Sequence, residues 1–425
     1  MRRYKRYNGC WVLAVTMLVT FCTVVLAAPK ESDGGWNLSM GGDNRTRYEL
    51  QERFLDSKDD SKNVVYNRLR VHADLSYEKS FTFFIEGLDA REWTHDAPER
   101  GQEDDFDLHQ AFAEFNGLFG TPTRVKLGRQ KIGYGQNRIL SAPTWGNKIR
   151  SFDAALIGLT LGPLNSDVFF GCPVTYESGF NTANSDEKLT GIYNVLKLGE
   201  RSSLDLYAVR KESPIASQDT VHDRYTTGAR FSAKNRNLLS VDAEGAYQCG
   251  EQGDVDIGAY ALACRIEQRF DAKCKPMAFL EGNLASGDHD PADGKTETFV
   301  PPYQTTHGPY GIIDFFRWQN LRELAVGGSV NVASVLTVRP EVHAYWLDEA
   351  EDAWYSASGS ALRPADAANS DTFAGSEISV VLGYELNKHC AFEGGYSVVL
   401  SGDVANEIST EDTVHYGYVQ MIVKQ

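Results

Sequence analysis

Alternation of apolar and polar residues over segments of about ten residues is the feature that most constrains the fold. From Leu69 to Tyr77 every second residue is apolar, and the positions between them are polar or charged. The same alternation recurs over 225–233, 239–247 and 378–386. Because successive side chains of a strand point to opposite faces, each segment is predicted to be a β-strand with one apolar and one polar face.

Two architectures accommodate such strands. In a soluble sandwich the apolar faces of two sheets pack together, whereas in an outer-membrane barrel they contact lipid and the polar faces line a wet lumen. Beyond residue 27 no stretch of about 18 apolar residues follows, so no helical span is expected there. We favour an all-β fold, a single transmembrane antiparallel barrel of about 18 strands (about 16 to 18) over residues 28–425.

The predicted strands form an even-numbered meander whose last strand closes against the first. Their expected ranges are 36–50, 64–77, 80–91, 107–117, 123–132, 151–161, 166–175, 189–199, 202–211, 223–233, 238–249, 254–268, 273–284, 321–333, 335–347, 376–388, 390–400 and 413–424. Four stretches are too long for tight turns and are expected to lie over or inside the lumen, namely 92–106, 133–150, 285–320 and 348–375.

The N-terminal segment has the pattern of a secretory signal peptide. Four of the first six residues are basic, residues 11–26 are largely apolar, and cleavage after Ala27 fits the small residues there. We therefore expect residues 1–27 to be removed and the barrel to be placed in the bacterial cell outer membrane. An uncleaved helical anchor is the alternative, because the apolar run approaches the roughly 20 residues that span a bilayer.

The charge balance argues against nucleic acid as a partner. The chain has 42 Lys and Arg against 58 Asp and Glu, a formal net charge of −16, whereas phosphate binding needs a basic surface. No GxSxG elbow, P-loop, HExxH motif or dinucleotide fingerprint is present, so we assign no catalytic residue and predict a protein that is not an enzyme. A secreted β-sandwich lyase or hydrolase acting on acidic polysaccharide is the alternative from another class.

Five cysteines follow the predicted signal peptide: Cys172, Cys249, Cys264, Cys274 and Cys390. An odd number cannot form a closed disulfide framework. Cys264 and Cys274 flank a turn-like stretch, and an oxidising compartment would permit a bridge between them. We favour the interpretation that all five are small apolar residues that fill space.

Polar-face positions are informative, because the charges that line a lumen select the solutes that pass. The basic ones are Arg45, Arg47, Arg68, Arg70, Arg124, Lys126, Arg224 and Arg230. The acidic ones are Asp242, Glu244, Asp256, Glu281, Glu323, Glu341, Glu377 and Glu385. Since consecutive strands are neighbours, we expect a basic wall followed by an acidic wall. The basic wall indicates a track for an anionic solute, and the alternative is that these residues only neutralise neighbouring carboxylates.

An acidic turn at 286–294 carries three carboxylates, Asp288, Asp290 and Asp293, whose oxygens could gather around Ca²⁺. The segment lacks the final bidentate Glu and the spacing of an EF-hand. We favour a solvated acidic loop, and we expect no other cofactor.

Several short segments, taken in order, resemble the alginate export family of bacterial outer-membrane porins. They are Asp107–Phe112, Lys126–Gln130 with Tyr134-Gly135, Trp145–Asn147, Arg150–Ala154, Ala285–Asp288 with Asp290-Pro291 and Asp293-Gly294, Tyr310–Ile312, and Phe316–Leu321. The resemblance runs from about residue 40 to the C-terminus.

The resemblance implies a barrel whose arginine-lined, loop-plugged lumen passes an anionic polysaccharide such as alginate, or its oligomers. By position in the matching motifs, Arg129 and Arg150 are predicted at the constriction, with Arg45, Arg47, Arg68 and Arg70 as wall residues. The implied partners are the polysaccharide, outer-membrane lipid and periplasmic export components. A general porin for small solutes and a surface adhesin with a barrel anchor are the alternatives.

Overall fold

The computed structural model describes residues 30–31, 35–51, 62–95, 101–177, 179–214, 221–235, 239–290, 292–409 and 412–425. Over these residues, 18 long strands form one closed antiparallel barrel, which confirms the predicted fold class. The predicted signal peptide, residues 1–27, lies outside the described residues. Within the described ranges, no helix is long and apolar enough to span a lipid bilayer.

The barrel strands are numbered here in chain order. They are β1 Trp36–Gln51, β2 Lys62–Tyr77, β3 Phe81–His95, β4 Asp104–Asn116, β5 Thr123–Gln130, β6 Phe152–Leu161, β7 Leu164–Thr175, β8 Lys188–Lys197, β9 Ser202–Pro214, β10 Val221–Ala233, β11 Leu239–Gln252, β12 Val255–Arg269, β13 Met277–Ala285, β14 Leu321–Ala333, β15 Leu336–Trp346, β16 Phe373–Asn387, β17 Cys390–Ser401 and β18 Thr413–Lys424. Each overlaps one predicted strand. The largest differences are the end of β3, expected at 91 and observed at His95, and the start of β13, expected at 273 and observed at Met277.

Closure of the barrel follows from pairing between the first and last long strands. β1 and β18 are antiparallel from Asp43 opposite Lys424 to Gln51 opposite Tyr416. Every other barrel strand pairs antiparallel with its neighbours in the chain. The sheet therefore has no open edge whose backbone groups would need another partner.

The two ends of the barrel differ in their connections. One end carries tight turns, such as 78–80 between β2 and β3 and 162–163 between β6 and β7. The opposite end carries three long segments, which we call loop A (131–151), loop B (286–320) and loop C (347–372). These correspond to three of the four predicted long loops.

The two faces of the strands have the chemistry that the alternation predicts. On β12, Leu262 is 55% exposed, whereas its neighbours Ala261 and Ala263 are 0% and 5% exposed. Large apolar residues are exposed on the outer wall in the same way around the barrel. This wall is the surface that contacts lipid when the barrel spans a membrane.

Loops A, B and C fold inward and build the apolar core inside the barrel. The largest fully buried side chains include Trp318, Phe299 and Tyr310 of loop B and Trp354 of loop C. Loops A and B are joined through the backbone, where Tyr303 N donates to the Ile139 carbonyl at 3.0 Å. The long loops thus plug the lumen, as expected.

The five described cysteines are free thiols. Cys264 is exposed on β12, two residues from Leu262 on the same outer face, whereas Cys274 lies in the turn after β12. The bridge considered between Cys264 and Cys274 is therefore not formed.

If the outer wall contacts lipid, a charged residue on it should destabilise the barrel most near the middle of the membrane and least near its surfaces. Leu262→Arg near the middle of β12 should lower the free energy of unfolding by about 2–4 kcal/mol, because the guanidinium would lie in hydrocarbon. Val332→Arg, near the end of β14, should cost about 0–1 kcal/mol. Urea unfolding in lipid vesicles measures both values, and equal costs would contradict the assignment of this wall to lipid.

Candidate functional site

Three arginines of the predicted basic wall hold the backbone of loop A. Arg45 Nη1 donates to the Trp145 carbonyl at 2.6 Å, and Arg47 Nη1 donates to the same oxygen at 2.8 Å. Arg68 Nη1 donates to the Thr144 carbonyl at 2.7 Å. The three side chains converge on loop A, and they are only 2–4% exposed. Their observed contacts attach the loop to the wall, and a contact with solute stays a prediction.

Trp145 links loops A and B to the seam that closes the barrel. The Arg47 guanidinium lies 3.7 Å from the centroid of the Trp145 ring, and the His307 ring is stacked on the same indole at 3.5 Å. Trp145 also contacts Tyr418 of β18 edge to face at 4.8 Å. His307 in turn lies 3.1 Å from the Asp314 carboxylate. These contacts fix one end of loop A.

The other end of loop A is held by the acidic wall through Arg138. This buried guanidinium lies 2.6 Å from Glu281 of β13 and 3.8 Å from both Glu244 and Asp242 of β11. Burial alone would lower the pKa of Arg138, but Tyr310 and the surrounding carboxylates raise it overall. Loop A therefore spans the lumen. Its carbonyl groups bind arginines of the basic wall, and its Arg138 binds carboxylates of the acidic wall.

Most other predicted basic residues form ion pairs with neighbouring carboxylates. The pairs are Arg70 with Asp43, Arg124 with Asp167, Arg129 with Asp153, and Arg230 with Asp205 and Asp242. The Arg129 pair is bidentate, at 2.7 and 3.0 Å, and Arg129 also donates to the Asn181 carbonyl at 3.0 Å. Lys126 lies 3.7 Å from the centroid of the Phe112 ring. The observed contacts of these pairs therefore agree with the interpretation that the basic residues neutralise neighbouring carboxylates of the wall.

Four cations form a different group, which we call the cationic cluster: Arg150, Lys211, Arg224 and Arg317. Lys211 of β9 lies directly opposite Arg224 of β10. The Arg150 guanidinium and the Lys211 ammonium lie 4.9 and 4.4 Å from the centroid of the same Tyr303 ring. Arg317 of loop B interacts electrostatically with both Arg150 and Lys211. Through Tyr303 and Arg317, loop B thus contacts both a cation of the barrel wall, Lys211, and a cation of loop A, Arg150.

The cationic cluster has fewer carboxylates than cations. Lys211 pairs with Glu187 at 3.0 Å. Arg150 donates to the Ser141 carbonyl at 3.1 Å, and Arg224 donates to Gln248 Oε1 at 2.8 Å. Among the described residues, no carboxylate oxygen lies within 4.0 Å of the nitrogens of these two arginines or of Arg317. The Nε of Arg317 is buried without a hydrogen-bond partner in this part of the chain.

Burial within the plug lowers the pKa of Arg150. Burial, together with the positive charge of Arg150, lowers the pKa of Arg317 to about 10. A pKa of about 10 leaves Arg317 charged at neutral pH. An anion between these groups would offset both their repulsion and their loss of hydration, so the cluster is suited to binding a carboxylate.

Sequence reasoning identified half of the cationic cluster. Arg150 and Arg224 were predicted, whereas Lys211 and Arg317 were missed. Lys211 has the same strand parity as Asp205 and Tyr207 on β9, so extending the alternation to the strand end would have identified it. Arg317 lies in an irregular loop without periodicity, and only its place in the segment 316–321 marked it.

The three carboxylates considered for calcium, Asp288, Asp290 and Asp293, do not converge. Asp290 Oδ1 accepts a hydrogen bond from Ala292 N at 3.0 Å, and Asp293 Oδ1 accepts one from Lys295 N at 2.8 Å. Burial, aided by the charge of Asp352, raises the pKa of Asp288 to about 6. Among the described residues, these three carboxylates do not form a group of close ligand atoms, which agrees with the favoured interpretation of a solvated acidic loop.

Residues 36–418 match the alginate export family. The chain belongs to that family. No curated protein matches the sequence.

Solved structures of three bacterial proteins have the same fold. OpdO of Pseudomonas aeruginosa is 13% identical, with a TM-score of 0.63 over 91% of this chain and 97% of that one. P. aeruginosa OccK2 (OpdF) in complex with glucuronate is 12% identical, with a TM-score of 0.62 over 91% and 97%. OccAB1 of Acinetobacter baumannii is 12% identical, with a TM-score of 0.61 over 93% and 98%. The family and the barrel make this protein a porin of the bacterial outer membrane.

The contact between Arg138 and the acidic wall predicts how loop A can be released. Arg138→Met should loosen loop A, because breaking a buried ion pair from one side costs about 3–5 kcal/mol. Faster proteolysis of loop A and a larger, noisier single-channel conductance are expected. Arg269→Met is the matched control, since this side chain is 58% exposed in its pair with Glu267, which is 19% exposed, and such a pair contributes about 0–1 kcal/mol. Equal behaviour of the two variants would contradict the role of Arg138.

Proposed function

We propose that the protein passes an anionic polysaccharide of uronate type, such as alginate, or its oligomers, through the barrel lumen. The observation that carries this proposal is the cationic cluster, in which only one of the four cations, Lys211, forms an ion pair with a carboxylate of the described residues, that of Glu187. No covalent chemistry is involved. Passage is by diffusion down a gradient.

The mechanism is electrostatic. A guanidinium presents parallel N–H groups that match the two oxygens of a carboxylate, so it replaces the water that a uronate loses on entering the lumen. Several cations at one level allow a carboxylate to transfer from one to the next. Glu187 and the acidic wall near Glu244 and Glu281 keep binding weak enough for release.

Membership of the alginate export family supports a uronate polymer as the solute. The structurally similar OccK2 was solved with glucuronate, a single uronate unit. Of the predicted constriction pair, we assign Arg150 to the anion site. We assign Arg129, through its bidentate pair with Asp153, to support of the wall.

Removal of cations from the cluster should reduce anion selectivity. A unit charge at about 4 Å in water contributes about 1 kcal/mol, so Arg317→Gln should lower the anion-to-cation permeability ratio about fivefold. Adding Arg150→Gln should lower it further. Reversal potentials across planar bilayers in a salt gradient measure the ratio.

The control for this experiment removes two opposite charges elsewhere in the lumen. Arg124→Gln with Asp167→Asn eliminates an ion pair in which Arg124 Nη2 lies 3.0 Å from both carboxylate oxygens, and it leaves the net charge unchanged. Its permeability ratio should match that of the wild type. An Arg150→Gln/Arg317→Gln variant with unaltered selectivity would refute the assignment of the cationic cluster, and a wild type without anion preference would favour a general porin.

The glucuronate complex of OccK2 favours a second candidate, a porin for small uronates. The two candidates differ in their dependence on chain length. If the solute is a polymer, oligouronates should block the single-channel current for longer as they lengthen, because more carboxylates contact the cations at once. Equal residence times for a monomer and a hexamer would favour the small-uronate porin.

A further inference from the structure

Loops B and C meet at the loop end of the barrel in a group of metal-ligating side chains. His289 of loop B and Glu349 and Glu351 of loop C place one potential ligand atom each within 4.8 Å of the others. These residues lie outside the cationic cluster. None of them is among the predicted calcium ligands.

The distance between His289 and Glu349 is long for a direct hydrogen bond and suits two ligands of one metal ion better. His289 Nδ1 and Glu349 Oε2 lie 3.5 Å apart, at the outer limit for a hydrogen bond. Two ligands of one tetrahedral zinc ion, each about 2.0–2.1 Å from it, are about 3.3 Å apart. The separation of His289 and Glu349 is therefore close to that of two ligands of one small divalent ion, and the three ligand atoms lie within 4.8 Å of one another.

The two carboxylates form no direct ion pair with a lysine or arginine. In the described ranges, Glu349 pairs with His289 and interacts with Arg322 only at longer range, and neither glutamate lies within 4.0 Å of a lysine or arginine nitrogen. This differs from the lumen walls, where most carboxylates are paired with arginine. A bound cation would supply the missing positive charge.

The backbone that carries the three ligands is held in place before any ion binds. Asn320 Oδ1 accepts from Glu349 N at 2.8 Å, and its Nδ2 donates to the Glu349 carbonyl at 3.0 Å. Asp352 Oδ2 accepts from Asp288 N at 3.0 Å, which fixes the residue before His289. Gly287 allows this approach, because a Cβ there would lie 2.1 Å from Asn320 Oδ1. The backbone therefore loses little conformational freedom when an ion binds.

We propose that His289, Glu349 and Glu351 bind one divalent transition-metal ion of the zinc class and join loop B to loop C. One imidazole nitrogen and two carboxylate oxygens form a donor set that suits zinc, with water in the remaining position. Calcium is disfavoured, because it takes six to eight oxygen ligands and not imidazole. The inference is independent of the proposed function, since it concerns a separate group of residues and a direct binding measurement.

The test is a titration of the folded protein, freed of metal by a chelator, with Co²⁺ in detergent. Visible absorption should show about one Co²⁺ bound per chain, displaced by Zn²⁺ and not by excess Ca²⁺. His289→Ala and the isosteric Glu351→Gln should each weaken binding by about 100-fold. A heat-modifiable band on a denaturing gel verifies that each variant is folded.

The matched control is His389→Ala, which removes another exposed histidine, in the turn between β16 and β17 at the opposite end of the barrel. It should leave Co²⁺ affinity unchanged. Sub-stoichiometric binding by the wild type, or equal loss of binding in His289→Ala and His389→Ala, would overturn the proposal. Displacement by Ca²⁺ would also overturn it, since an oxygen-only acidic loop would then explain the binding.

Discussion

Backbone hydrogen bonding in a medium without water is the constraint on which the structure depends. In hydrocarbon an unpaired N–H or C=O group costs several kcal/mol, so a sheet that spans a membrane must close on itself. The pairing of β1 with β18 meets this requirement and connects residues from opposite ends of the chain. Closure then assigns the two faces. Apolar side chains such as Leu262 face outward, and the charged positions are confined to a narrow lumen.

Confinement of charge explains the arrangement inside the barrel. A charge in the lumen has little bulk water, so it is stable only with a partner, and most arginines have a carboxylate or carbonyl partner within 3.0 Å. Arg45, Arg47 and Arg68 donate hydrogen bonds to backbone carbonyl groups of loop A. On the opposite side of the lumen, Arg138 of loop A pairs with Glu281 of the acidic wall. The loop and the wall charges thus satisfy one another. A cation left without a carboxylate in such a place, as in Arg317, is the basis of the proposed position for a mobile anion.

The strands could be predicted from the sequence and much of the site could not, for one physical reason. A strand imposes a period of two, so alternation located the 18 strands and the lumen-facing side of Arg224 and Arg230. Loops have no period, so nothing local marked Arg138 or brought His289 near Glu349 and Glu351. Pairing is likewise a property of the folded barrel. Arg129 and Arg150 look equivalent in the sequence, yet Arg129 has Asp153 as a bidentate partner and Arg150 has a carbonyl.

A net charge of −16 does not oppose the passage of an anion, because charges act over a short range. At physiological ionic strength the Debye length is about 8 Å, so a solute in the lumen is affected chiefly by the groups around it. Near Tyr303 those groups are Arg150 and Lys211, with Arg317 interacting with both and Glu187 as the one paired carboxylate, in a region that the inward loops bury. Lower local dielectric strengthens their attraction for a carboxylate relative to the distant acidic surface. The same loops that narrow the lumen therefore make its local charge, rather than the charge of the whole protein, decide which solutes pass.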